Sequence, residues 1–328
     1  MALQFKTFSK WKEEFRLKQQ RNRLITQLRG SDQDKWEAAK SLLKTGWIPK
    51  DPIEKVWLLA ASGNWEGVSK LGRVAVEPLV VILLDGKIEI NTRKASAKAL
   101  DQFGWEPQDR QERKSYLLVS ERWNELVKMG TGVKDALLLA CNSENSGSRW
   151  RTGAIKTLGE MKAVEAVGFL TGILQSDRVT WEQAVAAEAL LRIGDSSVIE
   201  ALSEAFKRTA DQVYVNDNAD AYSHYVAVRD ACANALAGLG GETTIARVCD
   251  IICECGNLVN SCGHPRLDDV CSLHWGLGLG EAYLVTKGIE VLERIGGRKS
   301  TEALKKVLTV RSQSVRSKAQ DALDNLTG

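Results

Sequence analysis

Proline is scarce in this chain, with five in 328 residues, at positions 49, 52, 78, 107 and 265. The long proline-free tracts suit helices, because proline removes an amide donor and clashes with the preceding helical turn. No uninterrupted apolar run comes near the roughly 20 residues that a membrane-spanning helix requires, so a soluble chain is expected. The first 31 residues are basic and broken by charge throughout, with neither the apolar core nor the cleavage pattern of a secretory signal. A cytoplasmic location is the expectation. Catalytic signatures are also missing: there is no Gly-x-Ser-x-Gly elbow, no phosphate loop and no His-Glu-x-x-His helix. Gly276-Leu277-Gly278-Leu279-Gly280 follows no strand pattern, and Gly296-Gly297-Arg298-Lys299-Ser300 has the wrong spacing for a phosphate loop and reads as a turn. A non-enzyme is expected, with no cofactor beyond the zinc alternative weighed below.

With 44% hydrophobic and 27% charged residues the chain can bury a large core. Two internal repeats organise it. The first has a period of 58: Gly46, Trp47, Pro49 and Asp51 recur as Gly104, Trp105, Pro107 and Asp109, and Trp65, Lys70, Gly72 and Leu79 recur as Trp123, Lys128, Gly130 and Leu137. Between these anchors Val56-Trp57-Leu58-Leu59 aligns best with Ser115-Tyr116-Leu117-Leu118, which implies a one-residue slip. The duplicated modules are placed at 46–140. The second repeat is an Arg or Lys, Ala-rich positions, a Leu seven residues on and often a Gly four beyond: Arg93, Leu100, Gly104; Arg229, Leu236, Gly240; Arg316, Leu323; and, more loosely, Lys35, Leu42, Gly46. The ending alone recurs at Ile155 and Gly159, Leu190 and Gly194, and Leu292 and Gly296. A Gly after the last apolar position stops a helix. A second amphipathic stripe follows each stop, as in Val198, Ile199, Leu202 and Phe206, so the unit is an antiparallel helix pair.

Val228-Arg229, Ala235-Leu236 and Leu239-Gly240, with Val315-Arg316 and Ala322-Leu323, resemble HEAT repeats, in particular the bacterial HEAT-like repeats of phycobilisome lyases. The resemblance implies an all-α, right-handed solenoid of HEAT-like pairs over residues 32–328, preceded by a basic amphipathic helical segment at 1–31. It also implies a protein-binding scaffold or adaptor that uses the concave face and inserted loops. A bilin lyase-like subunit and a nucleic-acid-binding protein are the alternatives.

The stop glycines are spaced wider than a plain repeat. Extra helices are therefore expected around Glu54–Ala61 and Arg113–Ser120, a polar loop at Thr209–His224 and a Cys/His-rich insertion at 249–275. Candidate binding residues are Arg93, Arg229 and Arg316, read first as bonding neighbouring helix ends; Arg149, Trp150 and Arg151, where arginine flanks an aromatic ring; and Asp217, Asp220 and His224 of the loop. Trp47, Trp57, Trp65, Trp105 and Trp123 are expected in the core, and Trp36, Trp150 and Trp181 half-buried.

Five of the seven cysteines and two of the three histidines fall between Cys249 and His274. Cys253, Cys255, Cys262, His264, Cys271 and His274 have the ligand chemistry of a structural zinc site. Their gaps are tight for one, and buried reduced thiols are the favoured reading. The net charge is only +3, but residues 1–31 carry eight Lys or Arg against two Glu, and 294–318 eight against one. Residues 159–230 hold twelve acids against six bases, which would repel a nucleic acid lying along the chain. Phe5, Phe8, Trp11 and Phe15 follow helical spacing among Lys6, Lys10, Lys12, Arg16 and Lys18. That helix is expected to cap the first repeat, or else to touch an acidic membrane or a partner helix.

Overall fold

A computed structural model describes residues 2–30, 32–142, 148–176, 180–211, 219–258 and 279–328. Among them every regular element is a helix and no strand forms, so the fold is an all-α helical repeat. The chain divides into two compact units, one running to Lys128 and the other from Met129 onward.

In the first unit α1 (Ala2–Arg29) and α2 (Asp32–Leu43) make an antiparallel pair. The extra helix α3 (Pro52–Ala61) follows, then short α4 (Trp65–Lys70), a 3-10 turn at Gly72–Ala75, α5 (Val76–Leu84) and α6 (Ile90–Gln102). The second copy starts with the expected extra helix α7 (Arg110–Val119), and α8 (Trp123–Met129) ends this unit. The second unit holds α9 (Lys134–Asn142), α10 (Ser148–Glu160), α11 (Val167–Leu174), α12 (Trp181–Ile193), α13 (Ile199–Asp211) and α14 (Ala219–Leu239). It closes with α15 (Gly241–Leu258), α16 (Leu279–Ile295), α17 (Gly297–Val307) and α18 (Gln313–Thr327).

The period of 58 is followed more closely than the residues suggest. Helices α3, α5 and α6 begin and end 58 residues before α7, α9 and α10, so the duplication extends to Glu160 and there is no slip. Trp57 occupies the position of Ser115, and Leu58 that of Tyr116, all four buried. The ends fix this register. Asp51 Oδ1 accepts from the Ile53 and Glu54 amides at 2.7 and 3.3 Å, and Asp109 Oδ1 from the Glu112 amide at 2.8 Å. A side-chain oxygen there satisfies amides that the first turn leaves open.

Left-handed backbone recurs at the same period. Gly63 (φ 73°) is matched by Glu121 (φ 57°), and Gly46 (φ 66°) by Gly104 (φ 65°) and then by Lys162 (φ 49°). The stop expected at Gly159 is therefore displaced to Lys162. Gly159 lies inside α10, where a Cβ would stand 2.7 Å from the Cα of Ala189 on α12. It serves close helix contact rather than termination. Gly288 on α16 does likewise, with Ile252 Cγ1 of α15 at 2.7 Å from such a Cβ.

In the second unit the second helix of each pair stacks on the next, in the order α10, α12, α14, α16, α18, while α11, α13, α15 and α17 form the other layer. Leu158, Ala186, Leu190, Leu236 and Leu292 fill the seam and are essentially fully buried. The stretch expected as a loop from Thr209 to His224 is largely helical where described: α13 reaches Asp211, α14 starts at Ala219, and residues 212–218 lie outside the described residues. Thr209 is buried and donates to the Phe206 carbonyl at 2.6 Å.

Candidate binding surface

The repeated polar position sits near the start of the second helix of each pair, beside the C-terminal end of the first. A helix end leaves its last carbonyls without partners, and they carry partial negative charge. Arg93 Nε donates to the Leu83 carbonyl at 2.9 Å and Arg151 Nε to the Cys141 carbonyl at 3.0 Å. Arg316 donates to the carbonyls of Val310 and Arg311 at 2.8 and 2.7 Å. Burial pulls the Arg93 guanidinium below its usual range, against the opposing charge of Asp85. Gln183 has the same task, donating to the carbonyls of Ile173, Leu174 and Ser176 at 3.2, 3.2 and 2.9 Å. Residue type concealed it, but register did not: Gln183 precedes Leu190 by seven and Gly194 by eleven, as Arg93 precedes Leu100 and Gly104. Arg229 is the exception. It is buried, stands 5.3 Å from the Tyr283 ring centroid and pairs with Asp230 at 3.4 Å.

Arg149, Trp150 and Arg151 are not brought to one surface. Arg149 is exposed, Trp150 is buried, and half-buried Arg151 pairs with Glu182 at 3.2 Å as well as bonding the Cys141 carbonyl. Asp217 lies outside the described residues. Asp220 belongs to α14, where its side chain is not among those described, and His224 on the same helix is half-buried.

Of the proposed zinc ligands, Cys253 and Cys255 lie on α15, while Cys262, His264, Cys271 and His274 fall outside the described residues. Among the described residues no group of three or more His, Cys, Asp or Glu is disposed to hold a metal ion. Cys141, Cys232, Cys249 and Cys255 are buried, and Cys253 is half-buried. Burial raises Cys141 and Cys232 to about 12. On α15 Cys249 and Cys253 share a hydrogen bond that raises Cys249 and lowers Cys253, with Lys306 acting against burial at both.

Among the described residues of the first unit, open clefts of about 370 and 470 Å³ share Arg29, Asp51 and Glu54. Asp51 caps α3, and Glu54 pairs with Arg29 at 2.5 Å, so these shared charges are already used inside the fold. The second unit offers a different surface. Trp181 on α12 is 54% exposed and Tyr283 on α16 is 43% exposed. They precede Leu190 and Leu292 by nine residues each, so they hold the same repeat position on two members of the stacked row. Trp181 was expected to be half-buried; at that register it points past the seam into solvent.

Neither a family model nor a curated protein matches the chain. Solved structures similar to it include an engineered protein, at 16% identity over 94% of this chain and 99% of that one, with a TM-score of 0.25. Human deoxyhypusine hydroxylase in complex with glycerol is similar at 16% identity over 76% of this chain and 94% of that one, with a TM-score of 0.24. Likeness at that score carries no argument about this chain's fold or function.

Proposed function

We propose that the chain is a protein-binding scaffold built of HEAT-like helix pairs, and that it grips its partner with the row of second helices in the second unit. The observation that carries this reading is the pair Trp181 and Tyr283, two large rings about half exposed at one repeat position, the Tyr283 ring resting against Arg229. Trp150 and Tyr225 on the same row are buried, and exposed aromatics on a rigid row are the side chains that anchor protein interfaces. Charge along the row is mixed, with exposed Arg149 and Lys156 on α10 and Glu188 and Arg192 on α12, which suits a polar rim.

A nucleic-acid ligand is less well supported, because much of the basic C-terminal charge is engaged. Arg298 pairs with Glu302 at 2.8 Å, Lys306 with Asp250 at 3.1 Å, and Arg294 donates to Asn234 at 2.6 Å. The test is quantitative affinity capture from native extract with the full chain and with the double variant Trp181→Ala, Tyr283→Ala. At least a tenfold loss of a captured protein in the variant supports the reading. Identical capture by both chains removes it.

A further inference from the structure

Helix α1 is far longer than the helix it replaces in the repeat. It spans Ala2–Arg29, whereas α5, which occupies the corresponding place ahead of α6, spans Val76–Leu84. From Glu13 onward, where the side chains of α1 are described, its last turns pack against α2: Leu28 is buried, Leu24, Ile25 and Gln27 are half-buried, and every residue from Glu13 to Gln20 is exposed. Among these described residues, the packing a capping helix would make is found in the last turns.

The exposed part has its own apolar face, on another side of the helix. Phe15 and Leu24 are nine residues apart, which at about 100° per residue places them on opposite sides. Consistent with that, Gln19, Asn22, Arg23 and Thr26, on the Phe15 side of the packed turns, are all exposed. In the sequence Phe8 and Trp11 precede Phe15 by seven and four residues, on the same side of the helix. Lys12 and Lys18 flank Phe15 at three residues on either side, whereas Glu13 lies on the far side. Phe15 itself is 50% exposed.

We infer that α1 is a membrane-surface helix, which lays the Phe15 side on an anionic phospholipid bilayer while its last turns hold the repeat stack. Charge complementarity carries the choice of occupant. An aromatic stripe flanked by Lys and Arg is the pattern that seats at a headgroup boundary, the rings in the interface and the cations at lipid phosphates. The helix lies on the bilayer and does not cross it; no helix among the described residues is long and apolar enough to cross a membrane.

The experiment is flotation of the full chain with vesicles of phosphatidylcholine alone and with 30% phosphatidylserine, for the wild type, Phe15→Glu and Lys18→Glu. The expected result is retention on anionic vesicles only, reduced at least tenfold by either substitution, with unchanged circular dichroism and melting. Both side chains are outside the packed core, so the variants fold. Equal retention on neutral vesicles, no retention on anionic ones, or undiminished binding by Phe15→Glu overturns the inference. A wild-type dimer in light scattering that Phe15→Glu converts to monomer also overturns it, by assigning the stripe to a second copy of the chain.

Discussion

Arg29 on α1 reaches Glu54 on α3 at 2.5 Å, and the carboxylate is buried while the guanidinium is largely exposed. In the second copy the equivalent acid, Glu112, accepts instead from the Gln108 amide at 2.7 Å and helps to cap its own helix. One residue of a duplicated capping motif has thus been turned to hold α1. Removing Arg29 strands a buried carboxylate. A fully buried pair broken in this way costs about 3–5 kcal/mol, and the exposure of Arg29 lowers the figure to roughly 1–2 kcal/mol. Arg29→Ala should lose that much in urea unfolding, and Arg29→Ala with Glu54→Gln should recover part of it.

The contact of Gly159 with Ala189 gives a second expectation. Gly159→Ala places a methyl group against backbone that cannot move independently, and overpacking of this kind costs about 1–3 kcal/mol. Ala189→Gly in the same chain should restore only a part, because the nearest atom is the Ala189 Cα and not its side chain. A Gly159→Ala chain that melts with the wild type would show that α10 and α12 are not in such contact.

Lys162 is a non-glycine residue at a position where other copies use glycine, and a side chain costs about 1–2 kcal/mol in left-handed backbone. Lys162→Gly should therefore raise stability, by about 0.5–1 kcal/mol after the added freedom of glycine in the unfolded chain is subtracted. Gly194→Ala, at the equivalent stop with φ 79°, should lower it by a similar amount. Chemical denaturation of the two variants measures both signs.

Alkaline pH should destabilise the second unit through its buried thiols. Cys141 and Cys232 titrate at about 12 in the fold against a usual value of 9.0. Between those values the unfolded chain releases these protons and the folded one does not, so stability falls as pH rises above 9. The loss approaches about 1.4 kcal/mol per pH unit for each thiol and levels off near 12. Below 9 the two thiols contribute no slope. Cys232→Ala should flatten the decline in melting temperature between pH 9 and 10.5; an unchanged slope would contradict this origin.

Cysteine alkylation mapped by mass spectrometry offers a further check. Among the described cysteines, Cys253 should react fastest at neutral pH, since it is the one that is not buried and its hydrogen bond with Cys249 favours the thiolate. Cys249→Ala, which removes the donor, should slow it. Cys141 and Cys232 should stay protected until the chain unfolds.

The sequence by itself determined the helical class, the period of 58 and most helix ends, because those depend on local chemistry: Asp51 and Asp109 accept amide hydrogen bonds, and Gly104 and Gly194 take left-handed backbone at no steric cost. Register also contained the role of Gln183, which residue type hid. What the letters could not decide was which small residue ends a helix and which lets two helices touch. Gly159 and Gly194 each follow an apolar residue by four, but in the structure Gly159 packs on Ala189 inside its helix whereas Gly194 takes the left-handed backbone of a stop. Trp150 and Trp181, by contrast, differ by one position in register, eight and nine residues before Leu158 and Leu190, and one is buried and the other exposed. Side-chain direction relative to the seam depends on how adjacent helices pack, and that is settled by contacts distant in the chain rather than by local propensity.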